Sequence, residues 1–174
     1  MKYFFLPVIL CCFWARLAAE DVVVTAKISE SGHTQDGHEA FVVQAEARNS
    51  SAIPVVIAMM KCSWSDSWHI DPKKDLTIPI WACDNNFPTE YTFPHGGGFS
   101  FQFLVESRET AAKIEGKQFK LGFICIKSPS AFWEMLTKSN GPVPIAWSRE
   151  LTVPKISDRI LVISEMRKGL PTQP

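Results

Sequence analysis

The chain has 174 residues, of which 46% are hydrophobic and 21% charged, and its 18 basic and 18 acidic side chains cancel. This length and apolar content suffice for one packed core, which excludes a disordered chain, a collagen-like repeat and a polytopic membrane protein. A balanced charge offers no long-range attraction to a phosphate backbone, so we expect no nucleic-acid partner.

Residues 1–19 have the pattern of a cleaved secretory signal. Lys2 gives a short basic start, residues 3–15 form an apolar run too short to span a bilayer, and Ala19 ends a pair of small residues suited to cleavage. An uncleaved anchor is the alternative. After cleavage the chain would begin at Glu20, carry a net charge of −2 and be secreted or periplasmic, with no membrane contact.

Alternation of apolar and polar residues with a period of two dominates the rest of the chain, and it predicts strands with one buried face. In chain order the predicted strands cover residues 22–29, 41–48, 55–64, 76–83, 99–105, 119–125 and 145–153. Helical patterns are confined to residues 108–115, ended by Gly116, and to a segment that begins at Pro129, with Ser128 as its N-cap, and stops at Asn140-Gly141.

Closely spaced strands without long helices between them predict an all-β fold. We expect an antiparallel two-sheet sandwich of about seven strands with one or two short connecting helices. The domain would cover residues 20–155. Residues 156–174 would be an edge strand or a flexible tail, with a strand at 158–164 and a loose end from Arg167.

Residues 119–126 resemble strand F of immunoglobulin-like domains, in which an aromatic residue lies two positions before a Cys, here Phe123 and Cys125. Trp64, near the end of the predicted third strand, is similar to the core Trp of that family. The chain departs from the family in having no Cys in its second strand and no hydroxyl at Phe123 for a tyrosine corner. It is also similar to small exported bacterial Ig-like proteins of unassigned function. The resemblance covers about residues 20–155 and implies a fold alone.

The three cysteines that remain after cleavage predict one disulfide and one free thiol in an oxidising compartment. The run Asp71-Pro72-Lys73-Lys74 is typical of a type I turn, and a hairpin centred on it would place Cys62 opposite Cys83. We therefore predict a Cys62–Cys83 disulfide and a buried thiol at Cys125. The alternative is a bond between Cys62 and Cys125, since strands C and F are neighbours in an Ig-like sheet.

The segment from Ser63 to Asp71 is the most unusual in the chain. Trp64 and Trp68 are four residues apart, which would place them on one face of an extended strand among Ser, Asp and His residues. A flat aromatic surface edged by hydroxyls and a carboxylate suits a sugar ring or the apolar patch of a partner. The candidate ligand- or partner-binding residues are Trp64, Trp68, His69 and Asp71, and structural packing of the Trp side chains is the alternative.

The remaining motifs predict neither a catalytic residue nor a metal site. The run His95-Gly96-Gly97-Gly98 is similar to the oxyanion loop of lipases and esterases, but no G-x-S-x-G motif accompanies it, so a turn entering a strand is favoured. The four histidines lack ligand spacing, and His33 and His38 are the best metal pair because they share one loop. Asp66 and Asp71 flank His69, but Asp66 is three residues away and would therefore lie on the opposite face of a strand.

These patterns predict an exported, non-enzymatic β-sandwich that acts as a binding or assembly module for another exported protein or a glycan. One alternative is a carbohydrate-binding module that uses Trp64 and Trp68. Another is a small hydrolase or metal-binding protein that uses His69 or His95. No cofactor is expected.

Overall fold

Antiparallel sheets packed around a common core make up the structure, a computed structural model that describes residues 19–79, 86–138 and 142–161 and the backbone of residues 167–172. The strands are β1 (Val22–His33), β2 (Glu39–Asn49), β3 (Val55–Met60), β4 (Trp68–Asp71), β5 (Pro88–Phe93), β6 (Gly98–Ser107), β7 (Gln118–Ile124), β8 (Ile145–Trp147), β9 (Leu151–Thr152) and β10 (Arg167–Thr172). The helices are a 3-10 helix (Trp64–Ser67), α1 (Ala111–Ile114) and α2 (Pro129–Lys138).

The first layer is a sheet with the strand order β1-β2-β6-β10. The ladder between β2 and β6 runs without interruption from the Glu39–Ser107 pair to the Arg48–Gly98 pair. Gly98 is required there, because a Cβ at this position would collide with the backbone of Ala47.

The second layer is built around β7, which pairs with β4 on one side and with β8 and β9 on the other. Strands β3 and β5 form a separate ladder. A hydrogen bond of 2.6 Å from Ala58 N in β3 to Ile126 O, just after β7, joins this ladder to the rest of the layer. Strands β3 and β4 therefore follow one another along the same side of the β7 segment, and residues 61–67 leave the line of the sheet between them.

The apolar faces predicted from the sequence meet between the two layers, so the all-β antiparallel sandwich is confirmed. The first layer contributes alternate residues of β1, β2 and β6, and the second contributes alternate residues of β3, β4 and β7. The largest buried side chains are mainly aromatic and include Phe41, Phe93, Phe103, Phe119 and Phe123. Burying such side chains supplies most of the favourable free energy of folding.

Both predicted helices are present. Helix α1 lies within the predicted residues 108–115, and Gly116 follows it with a φ of 76°, a conformation that glycine adopts without strain. Helix α2 begins at Pro129, as predicted, and the Phe132 amide donates to the Ser128 carbonyl. Phe132 is fully buried against the second layer with Met60 and Ile124. The predicted stop at residues 140–141 lies outside the described residues.

The predicted third strand is correct only up to Met60, because Trp64–Ser67 forms a 3-10 helix. Strand β5, which pairs with β3, was not predicted. In the described part of the predicted fourth strand, residues 76–79, Thr77 makes one isolated bridge to Glu106.

The hairpin predicted around residues 71–74 is also wrong. Thr77, which the hairpin would place opposite Trp68, bridges Glu106 of β6 instead, and Asp71 ends β4 and pairs with Lys120 of β7. This long-range pairing places Trp68 and Ile70 in the core, where they are 5% and 7% exposed. A local turn motif contains no information about this burial, because the partner strand lies about 50 residues away along the chain.

The cysteines separate into one bonded and one free residue among those described. Cys62 is disulfide-bonded. Its predicted partner, Cys83, lies outside the described residues, so this pairing stays a prediction. Cys125 carries a free thiol that is 1% exposed, so the alternative Cys62–Cys125 bond is wrong. Burial raises the pKa of the Cys125 thiol to about 12, which keeps it protonated and unreactive.

The C-terminal segment is more ordered than predicted. The segment expected to be a loose tail contains β10, which pairs with β6, for example through Arg167 and Gln102. In the described part of the predicted edge strand, residues 158–161, Ile160 makes a single parallel bridge to His33. Leu161 is 4% exposed and packs on the outer side of the first layer with Ala40, Val42 and Leu104.

A chain that ends at Lys155 is expected to keep its β-sheet spectrum but to lose about 3 kcal/mol of stability, because burial of one Leu or one Ile side chain is worth about 1.5 kcal/mol or more. The truncation removes the buried Leu161 and Ile156 and the strand that covers one edge of β6. Urea unfolding of the full and shortened chains measures the difference. Equal midpoints and slopes would show that the C-terminal segment contributes nothing to the folded state.

Candidate functional site

The two Trp side chains singled out in the sequence face the core. Trp68 is 5% exposed, and its ring centroid lies 5.1 Å from those of Phe101 and Phe123. Trp64 is half-buried, with its ring 5.2 Å from Phe101 and 5.9 Å from Phe103. Both rings are thus used in packing between the layers, in agreement with the packing alternative.

The extended conformation expected for residues 64–68 is wrong, because a hydrogen-bonded turn replaces it. The Asp66 amide donates to the Ser63 carbonyl, and the Ser63 hydroxyl donates to the Asp66 carboxylate at 2.6 Å. The Asn86 side chain closes this network through a bond to the Ser63 hydroxyl. Short polar side chains that bond locally favour such turns over strands. The Asp66 carboxylate therefore stabilises this turn.

His69 and Asp71, the other two candidates, share an outward-facing surface of the second layer. Their neighbours Trp68 and Ile70 point into the core, and alternation along β4 turns His69 and Asp71 to the opposite side. Across β7 the outward pairs are His69 with Gly122 and Asp71 with Lys120. On the other side of β7, Trp147 of β8 pairs with Gly122. We call the surface formed by His69, Asp71, Lys120, Gly122 and Trp147 the Trp147 face.

The indole of Trp147 lies over the backbone of β7 because Gly122 has no side chain. A Cβ at Gly122 would come within 2.7 Å of two carbon atoms of the Trp147 ring. The glycine therefore makes room for the ring, and also for the Ile145 side chain, which would meet the same Cβ. Trp147 is nevertheless 43% exposed. The result is a large aromatic side chain that is held against a sheet and open to solvent.

The charges around this ring are mixed. The Lys120 ammonium lies 4.0 Å from the Glu150 carboxylate in an exposed and therefore weak ion pair. Asp71 is exposed, and within the described part of the chain it has no ion-pair partner. Burial, and secondarily the positive charge of Lys73, lowers the pKa of His69. The imidazole is therefore neutral at pH 7, with one nitrogen that donates and one that accepts.

The lowered pKa of His69 makes stability depend on pH in a definite direction. The unfolded chain binds a proton at His69 more readily than the folded chain does. The contribution of His69 to the free energy of unfolding is therefore complete above its ordinary pKa of about 6.5 and is lost as the pH falls below that value. We expect the free energy of unfolding to decrease on acidification through this window, and to decrease less in His69→Gln. Urea titrations at a series of pH values measure both curves. Parallel curves for the two proteins would contradict the assignment.

The geometry required for proton transfer at His69 is not found among the described residues. No hydrogen bond joins its imidazole to Asp66 or Asp71, and Asp66 is bonded to Ser63. Two backbone amides after His95 already have hydrogen-bond partners within the protein. The Gly96 amide donates to Asn49 O at 3.0 Å, and the Gly97 amide donates to Pro94 O at 2.9 Å. These amides are thus part of a turn that enters β6.

His33, at the end of β1, and His38, just before β2, make different contacts. His33 Nδ1 lies 3.0 Å from a carboxylate oxygen of Glu39, and the backbone amide of His38 donates to Thr34 Oγ1. In the described ranges, no group of three His, Cys, Asp or Glu side chains is placed to hold a metal ion.

A second surface with ligand-like dimensions lies on the outer side of the first layer. It is a shallow cavity of about 410 Å³ with polar side chains from three adjacent strands, namely Thr25, Lys27, Gln44, Glu46, Ser100 and Gln102. Phe101 also borders it, but its ring packs into the core on Trp64 and Trp68. Among the described residues that line it, this cavity therefore has no exposed aromatic ring.

Comparison with known proteins gives no assignment: no family model matches the chain, and no curated protein or solved structure is significantly similar to it. Within the described residues, no helix has the length and apolar character needed to cross a membrane.

Sequence reasoning found two of the five residues of the Trp147 face and missed its main residue. His69 and Asp71 were singled out, but Trp147 was treated only as part of a predicted strand. The sequence features that point to this site are Trp147 next to Ala146 in one predicted strand and Gly122 within another. The pairing of Gly122 with Trp147 depends on register between strands, which alternation alone does not specify.

Proposed function

We propose that the protein is an exported, non-enzymatic β-sandwich module that binds its partner or ligand through the Trp147 face. The observation that carries the proposal is the placement of Trp147, which is 43% exposed although it lies against the sheet over Gly122. Exposed tryptophans supply a large contact area together with a hydrogen-bond donor, and they are enriched where proteins bind other molecules.

We propose in addition that the strands follow an Ig-like arrangement. In it, the order β1-β2-β6 in one layer would correspond to strands A, B and E, and β5-β3 with β4-β7-β8 in the other would correspond to C′, C, F and G. In this correspondence β7 is strand F, the segment that resembles the family in sequence. The Trp147 face is then the outer surface of the C-F-G sheet, and a fold of this kind serves many different binding functions.

Export is supported by the N-terminal sequence pattern and by the disulfide at Cys62. Disulfides persist in secreted and periplasmic proteins and are rare in reducing compartments.

The alternatives derived from the sequence receive less support. A sugar site built on Trp64 and Trp68 would need exposed ring faces, but these rings pack on Phe101 and Phe103. A hydrolytic site would need a base held by an orienting partner, and no such pair includes His69 among the described residues.

Site-specific photo-crosslinking in the cells that produce the protein tests the binding function. A benzophenone-bearing phenylalanine at position 147 is expected to form covalent adducts on irradiation, since it reacts with any molecule held against the ring. The same residue at position 25, which borders the cavity on the opposite layer, is the matched control and should form none.

Mass spectrometry of the irradiated protein gives the result. Adducts at position 147 and not at position 25 would support the Trp147 face as the binding surface. Absence of adducts at position 147, or adducts at position 25 alone, would contradict it.

A further inference from the structure

We infer that the ligand of the Trp147 face is a neutral oligosaccharide, an inference that rests on the proposed binding function. The indole is held over Gly122 and is 43% exposed, so its position is set before a ligand arrives. A flat, preorganised ring can stack on the C–H face of a pyranose with little loss of side-chain entropy.

The groups around the ring match the hydroxyls of a sugar. His69 lies across Gly122 from Trp147, and Asp71 with Lys120 forms the adjacent outward pair. A carboxylate accepts hydrogen bonds from hydroxyls, an ammonium donates them, and a neutral imidazole does both. Asp71 has no ion-pair partner in the described part of the chain, which leaves its oxygens available to hydroxyl donors.

The charge balance favours a neutral ligand. Two carboxylates, Asp71 and Glu150, accompany two ammonium groups, Lys120 and Lys73, on or beside this face. An anionic polymer would require an excess of basic groups, since its affinity comes mainly from neutralised phosphates or sulfates. A neutral oligosaccharide requires no such excess of basic groups.

The composition of the face also distinguishes a sugar from a protein partner. The centres of protein interfaces are apolar and depleted in Asp, Glu and Lys. Here the outward positions of the neighbouring strands include Asp71 and Lys120, and Lys120 lies 4.0 Å from Glu150, so a protein surface would have to strip water from these charges. A sugar leaves these groups hydrated or replaces their waters with hydroxyls.

Nuclear magnetic resonance of the tryptophan indole N–H groups tests the inference. The purified protein, labelled with ¹⁵N, is titrated with soluble oligosaccharides of glucose, N-acetylglucosamine, xylose and mannose. We expect at least one of these to shift the Trp147 indole signal, while the signal of Trp133, a 51% exposed residue on α2, stays in place. Trp147→Ala identifies the signal and is expected to weaken the binding about tenfold or more.

Two variants keep the test specific. Trp133→Ala should bind like the wild type, and Trp147→Tyr should retain part of the affinity because it keeps an aromatic ring. If none of the oligosaccharides shifts the Trp147 signal, or if Trp147→Ala binds them like the wild type, the inference is overturned. In that case, photo-crosslinks from position 147 to a protein would still support the proposed binding function. Absence of crosslinks at position 147 would contradict both the binding function and the sugar ligand.

Discussion

Replacing Trp68 by alanine is expected to lower the free energy of unfolding by about 4 kcal/mol, the usual cost of deleting a large aromatic side chain from a core. The ring of Trp68 lies within 5.5 Å, between centroids, of Phe101, Phe103 and Phe123, so it contacts both layers. These neighbours cannot all close the gap, because they belong to strands fixed by their own ladders.

Urea unfolding followed by far-ultraviolet circular dichroism measures this loss. Trp133→Ala is the matched control, since it removes the same side chain from an exposed position and should change stability by less than about 0.5 kcal/mol. Equal stabilities of the two variants would show that Trp68 is not part of the core.

Asn49→Ala is expected to cost about 3 kcal/mol, an unusually large effect for a polar side chain. Asn49 is completely buried. Its amide nitrogen donates to Ile53 O at 2.8 Å and to Phe93 O at 2.9 Å, and its amide oxygen accepts from the backbone and the hydroxyl of Ser51, each at 2.8 Å. The side chain thus ties the end of β2 in one layer to the end of β5 in the other. Alanine would leave several of these buried groups without partners.

The neighbouring variant Ser50→Ala is the control for this site. Ser50 is exposed and makes one side-chain bond, of 3.1 Å to Asp21 O, so its loss should cost less than about 1 kcal/mol. Thermal or urea unfolding of both variants gives the comparison. An Asn49→Ala protein as stable as Ser50→Ala would contradict the role assigned to this amide.

The buried faces of the sandwich could be predicted because each depends only on neighbouring residues. Phe99, Phe101 and Phe103 alternate with Ser100 and Gln102, and these three aromatic residues lie in the core together with Val105. Faces of the same kind run along β2 and β7. A period of two specifies which side chains are buried, and burial of aromatic and β-branched residues then specifies a sheet.

The partner of each strand could not be predicted in the same way. The motif at Asp71-Pro72 indicated a local hairpin, whereas Asp71 pairs with Lys120. Trp64 left its expected strand because Ser63 and Asp66 bond to each other. In both cases the competing structures satisfy the local pattern equally, and long-range packing decides between them.

For the same reason only two of the five residues of the candidate site, His69 and Asp71, were predicted. Alternation along β4 is a local property, and it separates Trp68 in the core from His69 on the surface. The meeting of His69, Gly122 and Trp147 requires the registers of β4 and β8 on β7, which arise only when the sheet is assembled.

Oxidative footprinting of the protein in its native surroundings tests the central claim, that the Trp147 face is the surface covered by a ligand or partner. Hydroxyl radicals modify exposed indoles, and the protein carries an internal comparison in Trp147 and Trp133, which are 43% and 51% exposed. In the purified protein both residues should be oxidised at similar rates. In the native surroundings we expect oxidation of Trp147 to fall severalfold while that of Trp133 is unchanged, and equal oxidation of the two residues in both settings would contradict the account.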